Sequence, residues 1–163
     1  MKILGIDPGL AVTGYGVIAE NRGKLTLIKY STVRTKPDET IQNRLRRIYN
    51  RFNEIFDEHS PDACALETLF FAKNPKSVFQ VGQVRGVLLL CASLHDVPAF
   101  EYSPLEVKQS VVGYGRAEKP QVQYMTRVLL GTRETPRPAD AADALAIAIC
   151  HANSSRLKKF TGR

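Results

Sequence analysis

Two carboxylates stand three residues apart in PADAADALAIAI, residues 138–149, a run otherwise made of small and apolar side chains. If the run is helical, Asp140 and Asp143 share one face, with Cβ atoms roughly 5–6 Å apart. An unpartnered buried carboxylate is costly, so acids at the opening of a buried helix need a role. One role is local. The first helical turn has unpaired N–H groups and a dipole that favours negative charge. Asp140 can then be an N-cap with Asp143 as its partner three residues on, close to a capping box. The other role is to aim two carboxylates at a single point. The helix by itself leaves both open.

Two further acids bear on the choice. KILGID ends in Asp7 and DACALE ends in Glu67, each an apolar run closed by a carboxylate. As neighbouring parallel strands they bring these acids side by side at their carboxyl ends, where open α/β sheets hold ligands. With Asp140 and Asp143 they make a cluster of four. Like charges packed together destabilise one another unless a cation lies between them. Hard divalent ions such as Mg²⁺ take all-oxygen ligands. Two such ions about 3.5–4 Å apart can bracket a scissile phosphate.

The elements that must position these acids follow from pattern. Lys2 to Asp7 reads as a buried strand. Gly9, Gly14 and Gly16 punctuate a turn into a second strand, Thr13 to Glu20, and Asn21-Arg22-Gly23 is a hairpin signal before a return over Leu25 to Val33. Ile41, Leu45, Ile48, Phe52 and Ile55 recur at helical spacing, with Arg44, Arg47 and Arg51 on what reads as a solvated face. Asp62 to Glu67 is a fourth strand, Pro75 to His95 a helix, and Pro98 to Tyr102 a fifth strand. Short helices around Pro104 to Val111 and Pro120 to Leu130 precede the Asp140 helix. This order of strands and helices predicts an α/β fold: a mixed five-stranded sheet, three antiparallel strands and then parallel ones, with helices on both faces. Residues 1–155 are expected to form a single domain and 156–163 a basic, flexible tail.

Bulk properties narrow the partners. The 163 residues carry a net charge of +7, from 23 basic and 16 acidic side chains. That balance fits a polyanion. If four acids are engaged in a site, the remaining surface is more basic still. Cys64, Cys91 and Cys150 sit in apolar runs without metal spacing, as reduced thiols of a cytosolic protein do. The amino terminus does not read as a signal peptide. No stretch reaches the roughly 18–20 continuous apolar residues of a membrane span.

MKILGIDPGLAVTGYGVI, ALETLFFAKNPKSVFQVGQVRGVLL, YSPLEVKQSVVGYGRAEKPQVQYM and PADAADALAIAICHA resemble, in content and order, the RuvC family of Holliday-junction resolvases. The resemblance covers roughly residues 1–155. GIDPG alone is shared with sugar kinases and actin-like ATPases. The specific part is DAADALAIAICHA together with an E-x-x-F after the fourth strand. The resemblance implies an RNase H-like fold, a homodimer, and Mg²⁺-dependent cutting of four-way DNA junctions, with two ions per subunit and Mn²⁺ able to substitute. Its acidic ligands match Asp7, Glu67, Asp140 and Asp143. It also implies a bacterial, cytoplasmic setting and the RuvA–RuvB branch-migration complex as partner.

Junction contacts are expected around these acids. Phe70 matches the family's aromatic at the junction centre, where it can stack on an unpaired base; adjacent Phe71 points elsewhere, and either ring can instead pack beneath the loop. Lys73 and Lys76 flank that segment. Lys108 and Lys119 match basic positions next to the family's metal site and are expected to contact phosphate. VVGYGRAEK places Tyr114 between two glycines, in a mobile loop beside the groove or in an ordinary turn. The Pro75–His95 helix is apolar on more than one side, and Gly82 and Gly86 permit close approach of a second helix. That pattern fits either a dimer contact or deep burial. Competing readings are a non-catalytic junction-binding protein, a nucleotide-binding kinase-like domain, and an RNase H-like nuclease acting on RNA–DNA hybrids or ribosomal RNA precursors.

Overall fold

The computed structural model describes residues 1–68 and 75–161, the side chains of 75–77 and 158–161 excepted. Its order is β1 (Lys2–Asp7), β2 (Val12–Asn21), β3 (Lys24–Arg34), α1 (Ile41–His59), β4 (Ala63–Glu67), α2 (Pro75–Leu94), β5 (Ala99–Tyr102), α3 (Pro104–Val112), α4 (Lys119–Leu130) and α5 (Ala139–Thr161). The strands lie in the order β3-β2-β1-β4-β5. β1, β2 and β3 pair antiparallel, and β4 and β5 add to β1 in parallel. This is the mixed sheet expected from the pattern. The hairpin closes as its sequence demands, with Arg22 at φ 51° and Gly23 at φ 88°, the left-handed pair of a tight turn.

Strand alternation divides the core in two. Leu4, Ile6, Tyr15, Val17, Cys64 and Leu66 face α1 and α2, where Ile48, Phe52, Val84 and Leu88 complete a fully buried layer. Ile3, Ile18 and Ala65 face the other way, toward α3, α4 and α5. Because successive strand residues alternate faces, Asp7 and Glu67 fall in phase with Ile3 and Ala65 and belong to the α5 side. The three cysteines are buried and free.

One expectation needs correction. Gly14 and Gly16 do not form a turn; they lie inside β2, on the face that α5 covers. From Arg156 the backbone stays helical, since α5 continues to Thr161. Repeated Ser, Leu and Lys side chains without Pro or Gly allow the helix to propagate through that basic segment.

Candidate active site

The close seating of α5 on the sheet starts with missing side chains. A Cβ on Gly14 would lie 2.0 Å from the carbonyl oxygen of Asp140, and one on Gly5 would lie 2.1 Å from that of Ala144. Ala141, Ala144 and Ala148 form the matching small face of the helix, all buried. The helix axis therefore comes nearer the sheet than ordinary side chains permit. Gly14 is paired directly with Asp7 across β1 and β2, so the same contact that docks the helix brings Asp140 beside Asp7.

The opening of α5 decides between the two roles of its acids. The helix begins at Ala139, and the Pro138 carbonyl accepts hydrogen bonds from the N–H groups of Ala141 and Ala142 at 3.1 and 3.2 Å. Asp140 is thus the second helical residue and Asp143 the fifth. The capping-box arrangement, which needs Asp140 outside the helix and Asp143 at the third position, is not the one formed. A helix-dipole benefit for Asp140 in the first turn survives.

Electrostatics tie the acids together. Asp7 is pushed up from its ordinary 3.8 to about 7, first by burial and then by the charges of Glu67, Asp143 and Asp140. Glu67 is raised by burial and by Asp143. Lys119 opposes both shifts, and Lys108 opposes that of Glu67. Among the described residues no three His, Cys, Asp or Glu side chains converge closely enough to form a ready-made metal cage. The Lys119 ammonium holds Asp143, donating to Oδ2 at 2.5 Å. The donor set nonetheless fits a hard divalent ion. It consists of carboxylates alone, and burial plus mutual repulsion make their shared charge unfavourable without a counter-ion.

The two lysines are placed by the helices that carry them. Ser103 caps α3, its Oγ accepting from the Glu106 N–H at 3.3 Å while its own N–H donates to Glu106 Oε2 at 2.7 Å. Pro104 then opens the helix and sets Lys108 one turn in. Lys119 is the first residue of α4, before Pro120, and the Gln121 side chain accepts from the preceding Glu118 N–H at 2.8 Å. Lys108, Lys119, Glu67 and Asp143 together line one cleft of about 240 Å³, floored by Val107, Val122 and Ile147. Tyr114 is exposed in the segment between α3 and α4. Gly115 in that segment lies flat on Leu105, whose Cδ1 would be 2.3 Å from a Cβ there. Phe70, Phe71 and Lys73 lie outside the described residues, as does the Lys76 side chain.

One positioning device is absent from the sequence reading. The segment after Asp7 is tied down carbonyl by carbonyl. Thr13 Oγ1 donates to the Gly9 oxygen at 2.6 Å, Thr35 Oγ1 to that of Leu10 at 2.5 Å, and the Thr35 N–H to that of Ala11 at 3.1 Å. Arg44 Nε–H donates to Thr35 Oγ1 at 2.8 Å and completes the chain. Arg44 is therefore a strut to the active-site turn rather than part of a solvated face. A threonine one place past the end of β3 and an arginine one turn into the next helix are the only signal, and their meeting is tertiary.

The family model described as crossover junction endodeoxyribonuclease RuvC matches residues 3–151. A crossover junction endodeoxyribonuclease RuvC from Syntrophomonas wolfei is 50% identical over 160 residues, covering 98% of this chain and 93% of the relative. The structure of T. thermophilus RuvC in complex with a Holliday junction substrate superposes with a TM-score of 0.92 at 39% identity, covering 96% of each chain. The yeast mitochondrial Holliday junction resolvase Ydc2 shares the fold, with a TM-score of 0.70 at 14% identity over 98% of this chain and 83% of that one. The glycine-seated α5, the acids at the ends of β1 and β4, and these matches over nearly the whole chain agree: the protein belongs to the RuvC family of crossover junction endodeoxyribonucleases, with an RNase H-like fold.

Proposed function

We propose that this chain resolves four-way (Holliday) DNA junctions. It does so by paired symmetric nicks, hydrolysing one phosphodiester in each of two like-polarity strands and leaving 5′-phosphate and 3′-hydroxyl ends, in recombination and DNA repair. The observation that carries this is four carboxylates from three separated elements placed near enough to act on one another's charge beside two lysines, with Asp7 raised to about 7 first by burial and then by its acidic neighbours. A pre-built concentration of negative charge would repel DNA unless cations joined it.

Asp7, Glu67, Asp140 and Asp143 are the residues that would hold Mg²⁺, two ions per subunit, with Mn²⁺ able to substitute. When bound, these ions supply Lewis-acid activation of water and of the scissile phosphate. The chain's own groups do the rest. The β1 and β4 ends fix two carboxylates on rigid strands, and the glycine-seated helix fixes the other two. Lys108 and Lys119 meet phosphate oxygens and hold the strand in register without reading its sequence. Tyr114, Lys73 and Lys76 extend the backbone contact, while Phe70, with Phe71 beside it, stacks on a base at the junction centre.

The working unit is a homodimer. α2 buries Val84, Leu88, Cys91 and Ala92 against its own core, yet Phe79, Leu90 and Leu94 remain 77%, 52% and 60% exposed. Gly86 has open space where a Cβ would stand. This second apolar stripe supports an isologous helix contact that would relate two identical sites by a twofold axis. Residues 1–155 act as one nuclease domain, and the RuvA–RuvB complex delivers the junction. Among the described residues no helix is long and apolar enough to cross a membrane, in keeping with work in the bacterial cytoplasm.

Replacement of Asp7 by Asn tests the site. The D7N protein should bind a synthetic junction as tightly as the parent in a gel-shift assay and cut it at least ~10³-fold more slowly, as loss of a principal electrostatic group does. Cleavage at the parental rate removes Asp7 from the chemistry.

A further inference from the structure

Lys119 does more here than lie near the site. Its ammonium and the Asp143 carboxylate form an ion pair at 2.5 Å, joining the first residue of α4 to the fifth of α5. The same ammonium offsets the charges of Asp7 and Glu67. Lys108 lines the same cleft and also offsets Glu67, but it has no ion pair among the described residues. Among the described residues Lys119 is thus the one lysine ion-paired to these acids. An ammonium bonded to a carboxylate oxygen occupies a lone pair that a metal ion would need. Two cations cannot share so small a space without repelling each other. The pair is also solvent-exposed, with 57% and 28% of the two side chains accessible, so its opening costs little.

We propose that Lys119 is an internal placeholder. Its ammonium holds Asp143 and balances the carboxylates while the site lacks a divalent ion, and it releases Asp143 when such an ion enters. The freed lysine then has its charge available for the scissile phosphate. Metal occupancy and the grip on DNA become coupled through one side chain, and that coupling is reciprocal. The inference rests on the metal reading given above.

Calorimetric titration of Mg²⁺ into the full chain, with no DNA present, tests it on three proteins: the parent, Lys119→Met and Lys108→Met. Both substitutions remove one positive charge near the acids, but only K119M removes a competitor for Asp143. K119M should bind Mg²⁺ roughly two- to fivefold more tightly than K108M, the factor set by loss of an exposed ion pair. An ammonium NMR signal present in the metal-free parent and absent from K119M should shift in step with Mg²⁺ saturation. Equal affinities for K119M and K108M, or an ammonium signal unmoved at saturating Mg²⁺, overturn the placeholder and leave the metal site standing. Failure of all three proteins to bind Mg²⁺ overturns the metal reading, and the placeholder with it.

Discussion

The Asp7 carboxyl has a consequence for stability that can be measured without DNA. In the folded, metal-free protein it titrates at about 7, against an ordinary 3.8. Between those values the folded state keeps a proton that the unfolded state has released. Stability therefore falls as pH rises through this window, and the full penalty, up to ~4 kcal/mol, is present above pH 7. An Asn at this position carries no charge at any pH. Thermal melts in EDTA should show D7N more stable than the parent at pH 8, with the difference shrinking to nothing near pH 4. An offset that stays constant across that range would show that burial and like-charge repulsion do not act on Asp7 as described. The same proton must leave before a cation binds, so cleavage at limiting Mg²⁺ should climb about tenfold per pH unit below 7 and level off above it. A flat profile between pH 5.5 and 7 would contradict this.

At the scale of elements, the site depends on how closely α5 sits on β1 and β2. Gly14→Ala puts a methyl group into the Asp140 carbonyl, since the Cβ would lie 2.0 Å from that oxygen. Relief requires the helix start to move, at a cost of about 1–3 kcal/mol in stability. Cleavage should fall roughly 10²-fold from displacement of the carboxylates; melts together with cleavage rates of G14A check both. A variant with parental activity would show that the seating is not what sets the site. Arg44→Met tests the strut on the Pro8–Ala11 turn. Loss of its charged hydrogen bond to Thr35 should speed amide exchange at Thr35 roughly tenfold, and unchanged exchange would show that the turn holds without it. Much of this was legible in the chain. The strands ending in Asp7 and Glu67 announced themselves by apolar runs closed by a carboxylate, and the α1 stripe by its spacing. Gly14 and Gly16 were misread because glycine marks a turn and a close helix approach alike. Only the contact of Gly5, Gly14 and Gly16 with Ala144, Asp140 and Leu145 of α5 separates the two, and that contact links residues more than a hundred positions apart. The cap reading of Asp140 failed for a related reason, since a one-residue shift in where a helix begins changes an N-cap into an interior position.

For the whole molecule, the exposed apolar stripe of α2 is what the proposed homodimer would cover. Leu90→Asp places a charge in the middle of that stripe, outside the core formed by Val84 and Leu88. Light scattering should show the parent at twice the mass of the chain and L90D at the monomer mass, with the same far-ultraviolet circular dichroism. L90D that remains dimeric would place the contact elsewhere. The basic balance of the chain, +7 overall, suits attraction to the backbone of DNA. The most direct measurement is cleavage of a synthetic four-way junction beside linear duplex and RNA–DNA hybrid, each in Mg²⁺ and in EDTA. Paired, symmetric nicks that ligase can seal, found only on the junction and only with Mg²⁺, are the expected result. Tight junction binding without cuts on several sequences, with Mn²⁺ tried as well, would contradict the account and make this a junction-binding protein with no catalytic centre.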